Sequence, residues 1–202
     1  MSLFRKIFGK KETSGENIKG EERGKYMPEI KIPIDEKFTI NFKANGGKFL
    51  YCENIDEIKK TLKEILNENE WEDKNVFLLD ERLKDLFKEF NLKATRKTAE
   101  STYFLSTCEY LIADDGSILI SSNQIEEKNL SDFPSNLIIL SETTKFKNSI
   151  GEGLAEIKSK SKKIPSNITT IKNFQISQEK DFLSYGTSAK NLYLILLEKG
   201  TI

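Results

Sequence analysis

An alternation of strands and helices between residues 48 and 90 constrains the fold of this chain more than any other feature. KFLYC and NVFLL are short, continuously apolar runs, typical of strands buried on both faces. Between them, ENIDEIKKTLKEILNENE carries apolar side chains at helical spacing, and Asn54 with Glu57 is a variant of the capping box that begins helices. DERLKDLFKEF repeats that spacing after Asp80. The alternation predicts a parallel sheet covered by helices.

The rest of the chain adds a helix before this unit and several strands after it. DEKFTINFKANGG has roughly helical spacing and ends in Asn-Gly-Gly, and glycine readily adopts the left-handed conformation that closes a helix. YLIA and SILISS, joined by Asp-Asp-Gly-Ser, predict an antiparallel hairpin. NLIIL is typical of a central strand, residues 145–160 of a weakly amphipathic helix, and NITTI and NLYLILLE of two final strands. We therefore expect an α/β sandwich, helical in its first half and strand-rich in its second.

Residues 1–33 differ in character and are predicted to be a basic N-terminal tail and a polar linker, followed by one domain over residues 34–202. Four apolar residues near the start share one helical face among basic neighbours: Leu3, Phe4, Ile7 and Phe8. Such a face permits weak membrane-surface contact by residues 1–11, although a frayed or self-docking tail is the favoured interpretation. ETSGENIKGEERGK is polar and typical of a linker.

The chain contains no histidine, which removes the usual general base near neutral pH, the histidine-dependent nucleophiles and most transition-metal sites. Its two cysteines, Cys52 and Cys108, are too few for an iron–sulfur cluster or a four-ligand zinc site. Lys and Arg total 32, as do Asp and Glu, so the neutral balance predicts no nucleic-acid partner. We predict neither a metal nor a cofactor.

The sequence shows no secretory signal and no apolar run of about 18 residues. We therefore predict a cytoplasmic protein with reduced thiols and no transmembrane segment.

Three loops are candidate ligand contacts, because ligands of parallel α/β sheets bind in loops at the carboxyl ends of strands. Residues 45–47 are better explained as a helix cap, since a phosphate-binding loop follows a strand and opens a helix. In the second loop, residues 114–117, neighbouring carboxylates on an extended strand point to opposite faces, so Asp114 and Asp115 are not expected to be an acid–base pair. Asp-Gly there favours a plain turn. Residues 185–190 combine glycine, two hydroxyls and a lysine, which suit an anion but are also common in ordinary loops.

Taken in order along the chain, these stretches resemble the LUD (lactate-utilisation) domain family in its LutC-like form. EYLIADDGSILISS is similar to a family segment of the type Ala-x-Ala-Glu/Asp-Thr-Gly-Thr, with Asp114 in the acidic position and Gly116 and Ser117 after it. GTSAKNLYLILLEKG resembles a reduced form of the family's C-terminal motif, and FKANGGKFLYCEN and NLIILSETTKF also fit. Thr187 stands where the family has proline, and Asn191 and Leu192 stand near the positions of its acids.

The resemblance implies a three-layer α/β sandwich similar to the NagB/RpiA/CoA-transferase class and involvement in the oxidation of lactate to pyruvate. It also implies an iron–sulfur protein partner, since this chain has too few cysteines for such a centre. A small anionic or nucleotide-like ligand is expected between the two matched loops. The residues expected to contact it are Asp114, Gly116, Ser117, Gly186, Thr187, Ser188 and Lys190.

Three functions remain open from the sequence. The first is a non-redox subunit or small-ligand-binding module of a lactate-utilisation system. The second is a stand-alone enzyme that acts on a sugar phosphate or CoA thioester, with Asp114 as the first candidate base, although no catalytic residue is assigned. The third is a structural domain that has lost its ligand, because part of the C-terminal motif is changed.

Overall fold

Parallel strands form the central sheet of the fold, seen in a computed structural model that describes residues 32–172 and 191–198. Within these residues lie ten strands: β1 (Lys48–Cys52), β2 (Asn75–Phe77), β3 (Lys93–Thr95), β4 (Tyr103–Thr107), β5 (Tyr110–Ile112), β6 (Ser117–Ile120), β7 (Asn136–Glu142), β8 (Phe146–Lys147), β9 (Thr169–Ile171) and β10 (Asn191–Leu197). Six of them pair in the order β1-β10-β7-β4-β2-β3, all parallel. The predicted parallel sheet is confirmed.

The same residues contain five α-helices: α1 (Ile34–Ala44), α2 (Ile55–Glu68), α3 (Glu81–Leu86), α4 (Ser122–Ile125) and α5 (Ile150–Lys160). The predicted caps explain where two of them begin. The side chain of Asn54 accepts the Glu57 N–H at 3.0 Å, and that of Asp80 accepts the Arg82 N–H at 3.0 Å. α3 is shorter than its apolar spacing predicts, because the chain tightens into a 3-10 turn at Lys88–Phe90.

Helices α2 and α3 cover one face of the central sheet. α2 buries four apolar side chains on this face: Ile58, Leu62, Ile65 and Leu66. They pack in one cluster with Leu83 and Phe87 from the α3 region and with sheet residues such as Leu105 and Leu140. Each fully buried aliphatic side chain contributes about 2 kcal/mol to folding, so this face is a main source of stability.

The other face of the central sheet meets α1, which joins it to a second sheet of four strands in the order β8-β5-β6-β9. Phe42 of α1 packs edge-on against Phe49 of β1, with ring centroids 6.4 Å apart. Phe38, one turn earlier, contacts Phe146 of β8 at 5.3 Å. Helix α5 packs on the small sheet through Ile157. The predicted three-layer α/β sandwich is confirmed, with α1 and the small sheet forming its third layer.

The hairpin of β5 and β6 is antiparallel, and β7 lies centrally between β10 and β4, as predicted. Strand β4 was not predicted, because the sequence pattern becomes irregular over residues 93–108. Two short exposed elements, β3 and a 3-10 turn at Thr98–Glu100, precede it and obscure the periodicity. All but the last of its five residues are buried, which is expected of a strand in the middle of a sheet.

The predicted tail lies outside the described residues, apart from Ile32 and Pro33, so its amphipathic helix, its membrane contact and the domain boundary remain predictions. Across the described ranges, no helix combines the length and the apolar character needed to cross a membrane.

Candidate functional site

A cleft of about 430 Å³ lies at the carboxyl ends of β4 and β7 and is the candidate functional site; we call it the carboxyl-end cleft. β2 continues into α3 on the helix-covered face, whereas its neighbour β4 continues into the β5–β6 hairpin on the other face. Neighbouring strands whose connections leave to opposite faces open a crevice, which is where parallel α/β sheets bind ligands. The lining residues are Arg82, Thr107, Cys108, Glu109, Asn123, Gln124, Leu140, Ser141, Glu142 and Lys145.

A buried thiol and a buried hydroxyl lie side by side in the wall of this cleft. The Cys108 thiol donates to Ser141 Oγ at 3.3 Å, and both residues are less than 5% exposed. Burial raises the pKa of Cys108 to about 12, against a smaller lowering by the bond to Ser141 and the charge of Lys145. Cys108 is therefore a thiol at neutral pH, not the thiolate that nucleophilic catalysis requires.

Helix α4 forms a second wall, fixed by a hydrogen-bonded network around Ser121. Ser121 caps the helix: its hydroxyl accepts the Asn123 N–H, and its own N–H is accepted by Gln124 Oε1 at 2.9 Å. Glu109 Oε1 accepts from the Ser121 hydroxyl at 2.7 Å and from Asn123 Nδ2 at 2.8 Å. The Glu109 carboxylate thus ties α4 to the segment between β4 and β5, and this contact holds Asn123 and Gln124 at the cleft.

Arg82 belongs to the N-terminus of α3, where its guanidinium binds the capping carboxylate of Asp80. Nε lies 3.0 Å from Oδ1 and Nη2 lies 2.6 Å from Oδ2. Burial acts to raise the pKa of Asp80, but hydrogen bonds from the Arg82 side chain and backbone prevail and hold it below its usual value. This pair is preformed, so the cation reaches the cleft already neutralised in part.

Charged groups of both signs line the carboxyl-end cleft: Arg82, Lys145, Glu109 and Glu142. Two cations and two carboxylates give a wall with no formal net charge. A small ligand that carries one negative charge and a hydrogen-bonding group suits such a wall better than a phosphate dianion does.

The structure places Asp114 and Gly116 in the turn between β5 and β6 and Ser117 at the first position of β6, away from this cleft. The Asp114 carboxylate pairs with Lys37 of α1 at 2.5 Å. The Ser117 hydroxyl is fully buried and donates to Asp115 Oδ1 at 2.7 Å. The first contact holds the turn against α1, and the second lies within the hairpin itself. A ligand-binding role for the three residues remains a prediction.

The predicted helix cap lies next to this turn. Asn45 Nδ2 donates to the carbonyl oxygen of Asp115 at 2.7 Å. The structure thus brings two of the three predicted loops together, beside the amino end of β1. The third loop, with Gly186, Thr187, Ser188 and Lys190, lies outside the described residues.

Sequence reasoning missed the residues of the carboxyl-end cleft, although the rule about carboxyl ends pointed to them. Arg82 follows β2, Glu109 follows β4 and Lys145 follows β7. Of the loops selected from the sequence, residues 45–47 instead lie at the amino end of β1, and residues 185–190 precede β10 in the sequence and lie outside the described residues. The Ser121-x-x-Gln124 pattern is also a capping box, from which the start of α4 could have been predicted.

Across residues 32–172 and 191–198, the Cys, Asp and Glu side chains form no group of three or more that could hold a metal ion.

Comparison with known proteins agrees with the observed fold. The solved structure of a DUF162 family protein from Deinococcus radiodurans is similar, with a TM-score of 0.57 over 82% of this chain and 96% of that chain. The two sequences are 10% identical, so this likeness concerns the fold alone. No curated protein matches the chain. The family model of the LUD domain matches residues 36–197, which is most of the sequence. The chain therefore belongs to the LUD domain family.

Proposed function

We propose that this protein binds a small organic acid in the carboxyl-end cleft and serves as the non-redox, ligand-binding component of a lactate-utilisation system. The cleft itself is the observation that carries the proposal. It lies at the strand ends where α/β sheets bind ligands, and it is large enough for a small metabolite. Lactate and pyruvate each combine one carboxylate with one neighbouring oxygen function, which suits a wall of mixed charge.

An iron–sulfur protein partner is part of the same proposal. Cys52 and Cys108 are both buried; Cys52 is the last residue of β1, and Cys108 directly follows β4. Burial raises the pKa of both thiols, so neither is poised as a thiolate ligand. Oxidation of a hydroxy acid removes two electrons, and we assign the centre that receives them to a separate protein.

The ligand-binding part is tested by titrating L-lactate and pyruvate into the ¹⁵N-labelled full chain and following backbone amide shifts. Shifts concentrated at residues 107–109, 123–124 and 141–145 are expected. Asn123→Trp, which adds an indole at an exposed position of the cleft wall, should abolish them. Lys60→Trp, at an exposed position of α2 outside the cleft, is the matched control and should bind normally.

Two results would contradict the proposal. One is the absence of shifts with either acid. The other is preferential binding of ribose 5-phosphate or CoA, which would favour an enzyme of the sugar-phosphate or CoA-thioester type. The partner is tested separately, by affinity purification under anaerobic conditions followed by iron and sulfide analysis of the retained proteins. Retention of iron and sulfide in stoichiometric amounts is expected, and their absence would remove the redox part of the proposal.

A further inference from the structure

Most polar groups around the carboxyl-end cleft already have protein partners. Arg82 binds Asp80, and Asn123 donates to Glu109. Glu142 Oε2 accepts from the Thr144 hydroxyl at 3.1 Å. A ligand in this cleft must therefore displace existing contacts or use the groups that remain available.

Gln124 is a lining side chain whose amide donors are available to a ligand. Its Oε1 faces α4, where it accepts the Ser121 backbone N–H at 2.9 Å and lies 3.3 Å from the Ser121 hydroxyl. That contact fixes the orientation of the amide, because only its oxygen can accept from an N–H. Among the described residues, nothing accepts a hydrogen bond from its Nε2. The side chain is 8% exposed and lines the cleft. Of the described buried side-chain polar atoms, only the Tyr103 hydroxyl lacks a partner, so Gln124 Nε2 reaches the solvent of the cleft, where a ligand can accept from it.

Lys145 supplies a charge at the same cleft. Within the described ranges, no carboxylate lies within 4 Å of its ammonium group, and Nζ lies 5.7 Å from the centroid of the Tyr110 ring. Lys145 and Cys108 line the same cleft. Burial dominates the raised pKa of Cys108, and the charge of Lys145 acts against it. Lys145 is thus a cation of the cleft wall that is not neutralised by an ion pair in the described structure.

We propose that Gln124 Nε2 and Lys145 Nζ form an anion subsite that binds the carboxylate of a small monoanionic ligand, with the amide donating to its oxygens and the ammonium neutralising its charge. The inference rests on the proposed function and specifies which residues of the cleft select the ligand. Glu109 and Glu142 line the same cleft and repel a second negative charge, so a monoanion is favoured over phosphate. Arg82 remains bound to Asp80.

Gln124→Glu tests the amide without removing the cap of α4. A glutamate at this position still accepts the Ser121 N–H, because Ser-x-x-Glu is itself a capping box. The change replaces the two donors by a charged acceptor. Pyruvate affinity, measured by calorimetry on the full chain, should fall at least roughly tenfold. Lys145→Gln should weaken it by roughly fivefold, and Lys60→Gln, the matched loss of a lysine charge on α2, should leave it unchanged.

A second measurement uses the wild-type protein and so does not depend on whether a variant folds. In the wild-type protein, the side-chain NH₂ resonances of Gln124 should shift when pyruvate is added. Equal pyruvate affinity of the wild type and Gln124→Glu, or an unshifted Gln124 NH₂ pair while other cleft amides move, would overturn the subsite and leave the proposed function standing. Tighter binding of inorganic phosphate than of pyruvate would also overturn the subsite. If neither pyruvate nor lactate binds the wild type, the proposed function fails and the subsite fails with it.

Discussion

Gly116 and Asn41 approach so closely that a Cβ atom on Gly116 would lie 2.4 Å from the carbonyl carbon of Asn41. The contact joins the β5–β6 turn to α1, and Asn41 Nδ2 reinforces it by donating to the carbonyl oxygen of Ala113 at 2.8 Å. Gly116 also has φ +68°, a conformation that a side chain disfavours. The glycine of the acidic turn is therefore required for packing, whatever else the turn does.

Gly116→Ala should destabilise the protein by about 3 kcal/mol, because strain at positive φ adds to a clash with backbone atoms that cannot move aside. Urea denaturation followed by circular dichroism measures the change. Gly151→Ala is the matched control: Gly151 lies in the first turn of α5, and its Cβ would meet nothing closer than 3.7 Å. That variant should be more stable by about 0.5 kcal/mol. Equal urea midpoints for Gly116→Ala and the wild type would contradict the expected strain.

Glu156 of α5 lies between Lys147 of β8 and Lys160 of its own helix, paired with both. Hydrogen bonds from Lys147 and Lys160 lower the pKa of Glu156 to about 2. In an unfolded chain the pKa of a glutamate is about 4.3. A carboxylate with a lowered pKa in the folded state stabilises the protein fully above the unfolded value, and this contribution is lost as pH falls from there towards 2. The wild type should therefore lose this contribution to its stability in acid.

Glu156→Gln should flatten that loss, because the amide does not titrate. The measurement is the thermal midpoint of both proteins at a series of pH values between about 7 and about 3, where the difference in midpoint should shrink towards the acid end. Glu68→Gln on α2 is the matched control, since within the described ranges Glu68 forms no ion pair. A difference that stays constant with pH would show that the pairing does not contribute in this way.

The sequence predicts those parts of the fold that depend on neighbours along the chain. Asn54 and Asp80 cap helices through atoms two or three residues away, so their pattern is local. The Asp-Gly turn is local as well. Strand β4 escaped prediction because its place in the sheet is set by pairing with β7 and β2, whose residues are far away in sequence.

The candidate site escaped prediction for the same physical reason. The cleft residues Arg82, Glu109, Gln124 and Lys145 are far apart in sequence and meet only because β2, β4 and β7 lie side by side. The local sequence pattern does not predict the order of the strands in the sheet. The sequence instead pointed to loops rich in glycine and hydroxyl groups as the ligand site. The amide donors of Gln124 face the cleft only because its oxygen is held by the capping bond to Ser121, which the sequence alone does not show.

The Tyr103 hydroxyl is buried and, among the described residues, has no hydrogen-bond partner, while its ring stacks on Trp71 with centroids 5.3 Å apart. Burial raises the pKa of Tyr103. Tyr103→Phe keeps the stacked ring and removes a desolvated hydroxyl, so it should stabilise the protein by about 1 kcal/mol in urea denaturation. Tyr193→Phe is the matched control, because the Tyr193 hydroxyl accepts from Lys48 Nζ at 2.7 Å and from Asn69 Nδ2 at 3.1 Å. It should destabilise by about 1 kcal/mol. Equal destabilisation by the two variants would mean that the Tyr103 hydroxyl makes a hydrogen bond in solution. Removing a hydroxyl lowers the free energy of unfolding only when that hydroxyl is hydrogen-bonded in the folded protein.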